Sequence, residues 1–253
     1  MHVVVTGASS GIGEAIARRF AAAGASGLTL VARRREHLER LAGELELPCR
    51  VEARDLAEPT DHAAWLAEAE AELGPVAVLV NNAGIQVLGA TAAIDVDRGE
   101  HSLRVNLFAP LRLTRAVLPG MLARGRGTIV DVASMAALAP TPGMTYYNAS
   151  KAGLAAASEA LRGELRGSGV HVVTVYPGII PNTDMGQHGL AAYHESRMLD
   201  LQPTGTTEEL ARLIERAVRR HEPRVIYPRS NVVARWFPGT TRWVLDRFTP
   251  KLR

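Results

Sequence analysis

The hexapeptide YYNASK, residues 146–151, sets a tyrosine and a lysine four residues apart. On a helix that spacing puts both side chains on one face, so Tyr147 and Lys151 point together. Tyr146 stands five before the lysine, points elsewhere, and reads as a packing or substrate-wall residue. A free tyrosine has a pKa of about 10 and is a poor base near neutrality. A neighbouring ammonium favours its phenolate, which makes the pair suited to acid–base work on an oxygen. Arginine is also positive, but its planar fork lacks the compact donor cluster of an ammonium. The choice of lysine stands out here, because 27 of the 29 basic residues are arginine and the other lysine is Lys251.

A second group of residues suits phosphate. TGASSGIG carries Gly7, Gly11 and Gly13 directly after a short apolar run. Gly7 can turn the chain tightly, Gly11 lets backbone approach a pyrophosphate, and Gly13 lets helix and strand pack closely. The helix N-terminus that follows offers N–H groups to phosphate. Further along, VARRR (31–35) ends a second apolar run. An acidic residue at that strand end would accept from a ribose 2′-hydroxyl. The positions hold Ala32 and Arg33, with Arg34 next. A guanidinium can instead hold a 2′-phosphate by charge-assisted bonds worth about 1.5–3 kcal/mol. The expectation is NADP(H) rather than NAD(H).

These residues need a frame. Apolar, β-branched runs at 2–5, 28–32, 76–80, 128–134, 170–178 and 224–228 read as strands, and CRVEA (49–53), which alternates less cleanly, reads as the third. Helical patterns lie between them: one after the glycine loop closed by Gly24, then 35–45, 60–73 with Thr60 or Asp61 as cap, and 103–124 with a kink at Pro110. Another carries YYNASK to about Gly167, and a last spans 207–220. Strands alternating with helices predict an α/β fold, a parallel sheet covered on both faces, with ligands beyond the carboxyl ends of the strands.

With NNAG (81–84), VN (105–106), AS (133–134), YNASK (147–151) and YPG (176–178) added, the chain resembles the short-chain dehydrogenase/reductase family, in its short, NADP(H)-preferring branch. The resemblance runs from about residue 3 to residue 228. It implies a Rossmann-type doubly wound sheet of about seven parallel strands in a single domain. It also implies that Tyr147 is the catalytic acid/base and that Lys151 also holds the nicotinamide ribose. Ser134 would hydrogen-bond the substrate carbonyl, and Asn106 would hold a water linking the lysine to solvent. The cofactor would lie on the loop residues Gly7, Ser9, Ser10, Gly11, Ile12 and Gly13, with Arg33 and Arg34 at its ribose. Asp55 and Leu56 would sit near the adenine, and Asn82, Ala83 and Gly84 beside the adenosine. Pro177, Gly178, Ile180 and Thr183 would face the nicotinamide with Tyr147 and Lys151. One departure stands out: the family's PGxxxT is PGIIPNT here, so either Asn182 or Thr183 could reach the carboxamide.

The implied activity is reversible hydride transfer between NADP(H) and a carbonyl/alcohol pair. The substrate walls would come from MAALAPTPGMT (135–145) and from Met185, His188, Leu190, Tyr193, Met198 and Leu199. Most are apolar, which favours a hydrophobic ketone or aldehyde or its alcohol. One rival is a cofactor-binding regulatory protein on the same fold without turnover, though such proteins tend to lose the tyrosine or lysine. The other is an epimerase or dehydratase of the extended branch, which needs more residues after the sixth strand.

Composition excludes other classes. The net charge of +3 and pI of about 9.3 come from arginines spread along helices, such as Arg18, Arg19, Arg40, Arg162, Arg166 and Arg216, and no reading motif for nucleic acid appears. A single cysteine, Cys49, allows no internal disulfide and fits a reducing, cytoplasmic setting. MHVVVTG runs straight into a strand, leaving no room for a signal peptide, and no apolar stretch is long enough to span a membrane. The eight histidines lack metal-ligand spacing, so no metal is expected.

A catalytic domain is expected over 1–228 and an aromatic, basic tail over 229–253. In the tail Trp236, Phe237, Trp243, Val244, Leu245 and Phe248 alternate with Arg235, Arg242 and Arg247. Such a mixture suits a partner subunit first, a substrate lid second and a membrane surface third. The family's long helices point to a homodimer or homotetramer.

Overall fold

The computed structural model describes residues 1–58, 62–191, 193–194 and 202–249. Thr60, Asp61, Met198, Leu199 and Lys251 lie outside the described residues. Seven strands form one parallel sheet: β1 (His2–Thr6), β2 (Gly27–Ala32), β3 (Cys49–Ala53), β4 (Val76–Asn81), β5 (Gly127–Val132), β6 (Val170–Pro177) and β7 (Arg224–Tyr227). Their order across the sheet is β3-β2-β1-β4-β5-β6-β7. Every neighbour pair runs parallel.

Helices cover both faces because successive side chains of a strand point to opposite sides. On one face Val3, Val5, Leu28 and Leu30 pack with Ile16 and Phe20 of α1 (Gly11–Ala22), Leu38 and Leu41 of α2 (Arg35–Glu44), and Leu210 and Ile214 of the later helix Thr207–Arg220. On the other face Val4, Leu79 and Ile129 pack with Trp65 of α3 (His62–Leu73) and with Leu113, Val117 and Met121 of a helix at Ala109–Arg124. Strands buried on both faces have no polar side to show, which is why they read as nearly continuous apolar runs.

The helix expected over 103–124 is built differently. It begins earlier, as α4 (Val96–Leu103), where the Asp95 side chain accepts from the Arg98 N–H. A π turn at Arg104–Phe108 separates it from α5 (Ala109–Arg124). Pro110 therefore sits in the first turn of α5, and the helix is interrupted by the π turn just before it rather than kinked at the proline. Lacking an N–H, Pro110 cannot donate the usual bond to the carbonyl of residue 106, so the ladder is broken where Asn106 stands.

After β5 come α6 (Thr145–Glu164), then β6, α7 (Asp184–Ala191), α8 (Thr207–Arg220) and β7. Thr206 caps α8 by accepting from the Glu209 N–H. Two short helices end the described chain, α9 (Val232–Trp236) and α10 (Pro238–Phe248). No helix among the described residues is long and apolar enough to cross a membrane.

Candidate active site

The strand order reverses at β1, which pairs with β2 on one side and β4 on the other. The loops after β1 and β4 therefore lie side by side at the carboxyl edge. Thr6 ties them together: its Oγ1 accepts from the N–H groups of Asn82 at 2.9 Å and Ala83 at 3.0 Å and donates to the Val80 carbonyl at 3.1 Å. Asn82 Nδ2 returns a bond to the Thr6 carbonyl at 2.9 Å. Nothing in the sequence pattern singled out Thr6.

The glycine loop has no spare room. Gly7 and Gly11 take positive φ, 68° and 57°. A Cβ on Gly13 would lie 2.1 Å from the Gly7 carbonyl oxygen and 2.6 Å from Asn82 Nδ2. Gly13→Ala should therefore push α1 off β1, lowering stability by about 1–3 kcal/mol and weakening dinucleotide binding. Thermal melts with and without cofactor check both, and an unchanged melting curve would contradict the close packing. Ser10 precedes α1 without a side-chain capping bond, so the first-turn N–H groups face the pocket uncapped.

One pocket of about 820 Å³ runs along this edge. It is lined by Gly7, Ser9, Ser10, Gly11, Ile12, Gly13, Arg33, Arg34, Asp55, Leu56, Asn82, Ala83 and Gly84 at one end, and by Ser134, Tyr147, Lys151, Pro177, Gly178, Ile180 and Thr183 at the other. Thus every residue expected to be catalytic or to bind cofactor, except Asn106, reaches it; of the expected substrate-wall residues His188 does not. Arg34 Nη2 donates to the hydroxyls of Ser9 at 3.1 Å and Ser10 at 2.8 Å, bracing the glycine loop. The Arg33 side chain is 63% exposed and makes a long contact, 4.0 Å, to Asp55. Asp55 in turn accepts from the Ala57 N–H at 2.9 Å.

Tyr147 and Lys151 share the buried face of α6. The Lys151 ammonium donates to the Val132 carbonyl at 2.8 Å, and the Tyr147 hydroxyl lies 3.8 Å from Met185 Sδ. Burial pushes the Tyr147 phenol above its ordinary range, with a hydrogen bond involving Ser134 pulling the other way. The expected direction is thus corrected: burial of the phenol, not the neighbouring ammonium, sets it. Lys151 is itself lowered to about 8, first by burial, with the charge of buried Asp131 opposing. Asp131 is held by Asn81 Nδ2 at 2.8 Å and is pushed up by burial. Ser134 caps a short turn by accepting from the Ala136 N–H at 3.1 Å.

Asn106 is fully buried behind the pocket. Its Oδ1 accepts from the Ile85 N–H at 2.8 Å, and its Nδ2 donates to the Ile85 carbonyl at 2.9 Å and to Ser150 Oγ at 3.0 Å. A Cβ on Gly84 would lie 3.3 Å from Lys151 Nζ and 3.4 Å from Asn106 Oδ1, so lysine and asparagine meet over that glycine. Tyr146 turns away and packs on Gly99 of α4, where a Cβ would come within 2.5 Å of its ring. Asn182 Nδ2 bonds Thr207 Oγ1 at 3.0 Å, whereas Thr183 faces Gly11, its methyl 3.3 Å from a Cβ placed there.

Beyond Ser134 and Tyr147 the pocket is lined by Met135, Ala136, Ala139, Met144, Met185, Leu190 and Tyr193, with Gln86, Thr141 and Gln202 as polar members. His188 is exposed and bonds within its own helix, to the Asp184 carbonyl. The tail also reaches the pocket, with Ala234, Thr241 and Leu245 among the lining residues. Arg242 Nη1 donates to the Pro140 carbonyl at 2.8 Å. The sequence pattern singled out Leu245 only as one aromatic-tail neighbour, because aromatic spacing does not say which face turns inward.

The profile of the family described as short chain dehydrogenase matches residues 1–193. The chain belongs to that family. Among its curated relatives, a short chain dehydrogenase of Pseudocercospora fijiensis is 40% identical over 185 residues, covering 70% of this chain and 59% of that protein. Dehydrogenase/reductase SDR family member 7B of Rattus norvegicus is 38% identical over 200 residues, covering 75% of this chain and 61% of that protein. The chain thus spans about three-fifths of the length of these two relatives.

Solved structures agree on the fold. A short-chain dehydrogenase from Streptomyces avermitilis superposes with a TM-score of 0.81 at 30% identity, covering 97% of this chain and 94% of that one. A metagenomic short-chain oxidoreductase in complex with NADP gives 0.74 at 30% identity, over 89% and 96%. The bulky-bulky ketone specific alcohol dehydrogenase of Comamonas testosteroni gives 0.76 at 29% identity, over 94% and 92%.

Short chain dehydrogenases are oxidoreductases that bind a nicotinamide dinucleotide, and the residues present fit one. The uncapped N-terminus of α1, the positive-φ glycines and the filled space above Gly13 form a cradle that admits phosphate but no side chain.

Proposed function

We propose that the protein is an NADP(H)-dependent oxidoreductase interconverting a hydrophobic ketone or aldehyde and its alcohol, with Tyr147 as general acid/base. The observation that carries this reading is the meeting of Ser134, Tyr147 and Lys151 in the pocket that also holds the glycine loop. Bound NADP(H) would supply or accept the hydride. In reduction, Tyr147 stands protonated and donates to the oxygen as negative charge grows there. Ser134 donates a hydrogen bond to the same oxygen. Lys151, held by the Val132 carbonyl, supports the return of a proton to Tyr147, and Asn106 fixes the Ile85 loop beside it. Asn182, bonded to Thr207, and Thr183, whose hydroxyl donates to the Ile180 carbonyl and accepts from the Gly186 N–H, both line the pocket, so either could meet the carboxamide.

The apolar residues among the pocket lining, Met135, Met144, Met185 and Leu190, support a hydrophobic substrate. The structural likeness to a bulky-bulky ketone specific alcohol dehydrogenase leans the same way. Consumption of NADPH against ketones of rising apolar size tests it, and rates that fall or stay flat with size would contradict a greasy pocket. The mostly exposed Arg33 guanidinium supports the NADP(H) preference, as does the likeness to an NADP complex. Arg33→Ala should cut the preference for NADPH over NADH by one to two decades, the worth of one charge-assisted bond. Equal kcat/KM for both cofactors in the unaltered protein, unmoved by the substitution, would remove that assignment.

A further inference from the structure

The tail has an inner face that lines the pocket and an outer face that nothing among the described residues covers. Trp236 is 71% exposed, Phe237 60%, Trp243 63% and Phe248 52%. The Trp243 and Phe248 rings meet edge to face with centroids 6.1 Å apart, and exposed aromatic groups of this kind mark an interaction surface. Charge says what kind. Six of the 29 basic residues and one of the 26 acidic ones fall in 229–253, so this segment carries +5 while residues 1–228 sum to −2. Its one acidic residue, Asp246, is already paired with Arg242. Arg235 is drawn inward to Glu159 at 3.7 Å. Arg229 and Arg247 are exposed and have no acidic partner among the described residues, and Arg247 lies 6.0 Å from the Phe248 ring.

From the exposed tryptophans and phenylalanines set among unpaired arginines we infer that the tail docks the protein on an anionic phospholipid surface. Aromatic rings seat at the level of lipid headgroups while arginines meet phosphate and carboxylate groups of anionic lipid. A second copy fits less well, because two +5 tails brought together about a two-fold axis repel. The surface so docked adjoins the pocket wall built by Ala234, Thr241 and Leu245, so an apolar substrate could pass between bilayer and pocket. The docking itself does not depend on the reaction proposed above.

Sedimentation of the full chain with phosphatidylcholine vesicles, with and without phosphatidylserine, tests this. Binding should be at least about tenfold stronger to the anionic vesicles and fall steeply with added salt. Trp65 is buried, so a blue shift of tryptophan emission on binding reports Trp236 and Trp243. Trp243→Ser with Phe248→Ser, and separately Arg229→Glu with Arg247→Glu, should each lower that binding about tenfold or more while leaving Tm and NADPH affinity unchanged. Equal or absent binding to the two vesicle types would overturn the inference. So would a change of oligomer size in the serine variant without loss of vesicle binding, which would assign the face to a second copy.

Discussion

Tyr147→Phe is expected to lower turnover by ~10²–10⁴-fold while leaving NADPH affinity close to that of the unaltered protein. The hydroxyl is the one group removed, and among the described residues it meets Met185 Sδ at 3.8 Å and Ser134. Folding should change by about 1 kcal/mol or less, because a thioether is a weak partner. Steady-state rates, cofactor titration and a thermal melt separate these three effects. A large loss of Tm would mean that the phenol is structural. Turnover like that of the unaltered protein would place the acid elsewhere.

The second large effect concerns Lys151. Lys151→Arg keeps the charge and changes the shape. The ammonium sits in a tight place in the pocket wall, 2.8 Å from the Val132 carbonyl and 3.3 Å from the place a Gly84 side chain would take. A planar fork with five donors does not fit it, so overpacking should cost about 1–3 kcal/mol. Turnover should fall at least ~10²-fold and cofactor affinity should fall with it, the combination that distinguishes Lys151 from Tyr147. In the unaltered protein, Lys151 titrates near 8 because burial disfavours its charge. It is protonated below that pH, so kcat/KM for reduction should decline as pH rises through about 8. Asp131→Asn removes the attraction that holds the charge, and the decline should move to lower pH. A profile flat across that range, or one moved to higher pH in Asp131→Asn, would show that Lys151 is not the group observed.

Much of this arrangement was legible in the sequence. All seven strands were: the central ones, buried on both faces, leave unbroken β-branched runs such as VAVLV and TIVDV, and the edge strands β3 and β7 show as shorter, mixed segments between helical patterns. The residues that line the pocket were legible because each falls at a strand end or on the first turns after it. What escaped was set by tertiary contact. The π turn at Arg104–Phe108 has no periodic signature of its own, so the helix was expected to run unbroken from 103 and kink at Pro110. The Tyr147 phenol was expected to be lowered by its lysine, whereas its burial, which no spacing reveals, raises it. Asp131 looks like any polar residue in a strand, yet it lies beneath Lys151 with Asn81 bonded to it. The tail's aromatics were evident, but only the fold shows that Ala234, Thr241 and Leu245 turn inward while Trp236 and Trp243 turn out.

The most direct test of the central claim is a single turnover. The protein is loaded with a stoichiometric amount of NADPH, mixed with a bulky apolar ketone, and the alcohol formed is counted against NADPH consumed. The account predicts one alcohol per NADPH, at a rate lost in Tyr147→Phe. NADPH that binds tightly yet is not consumed by any carbonyl compound in the series would contradict it and leave a cofactor-bound protein without this reaction.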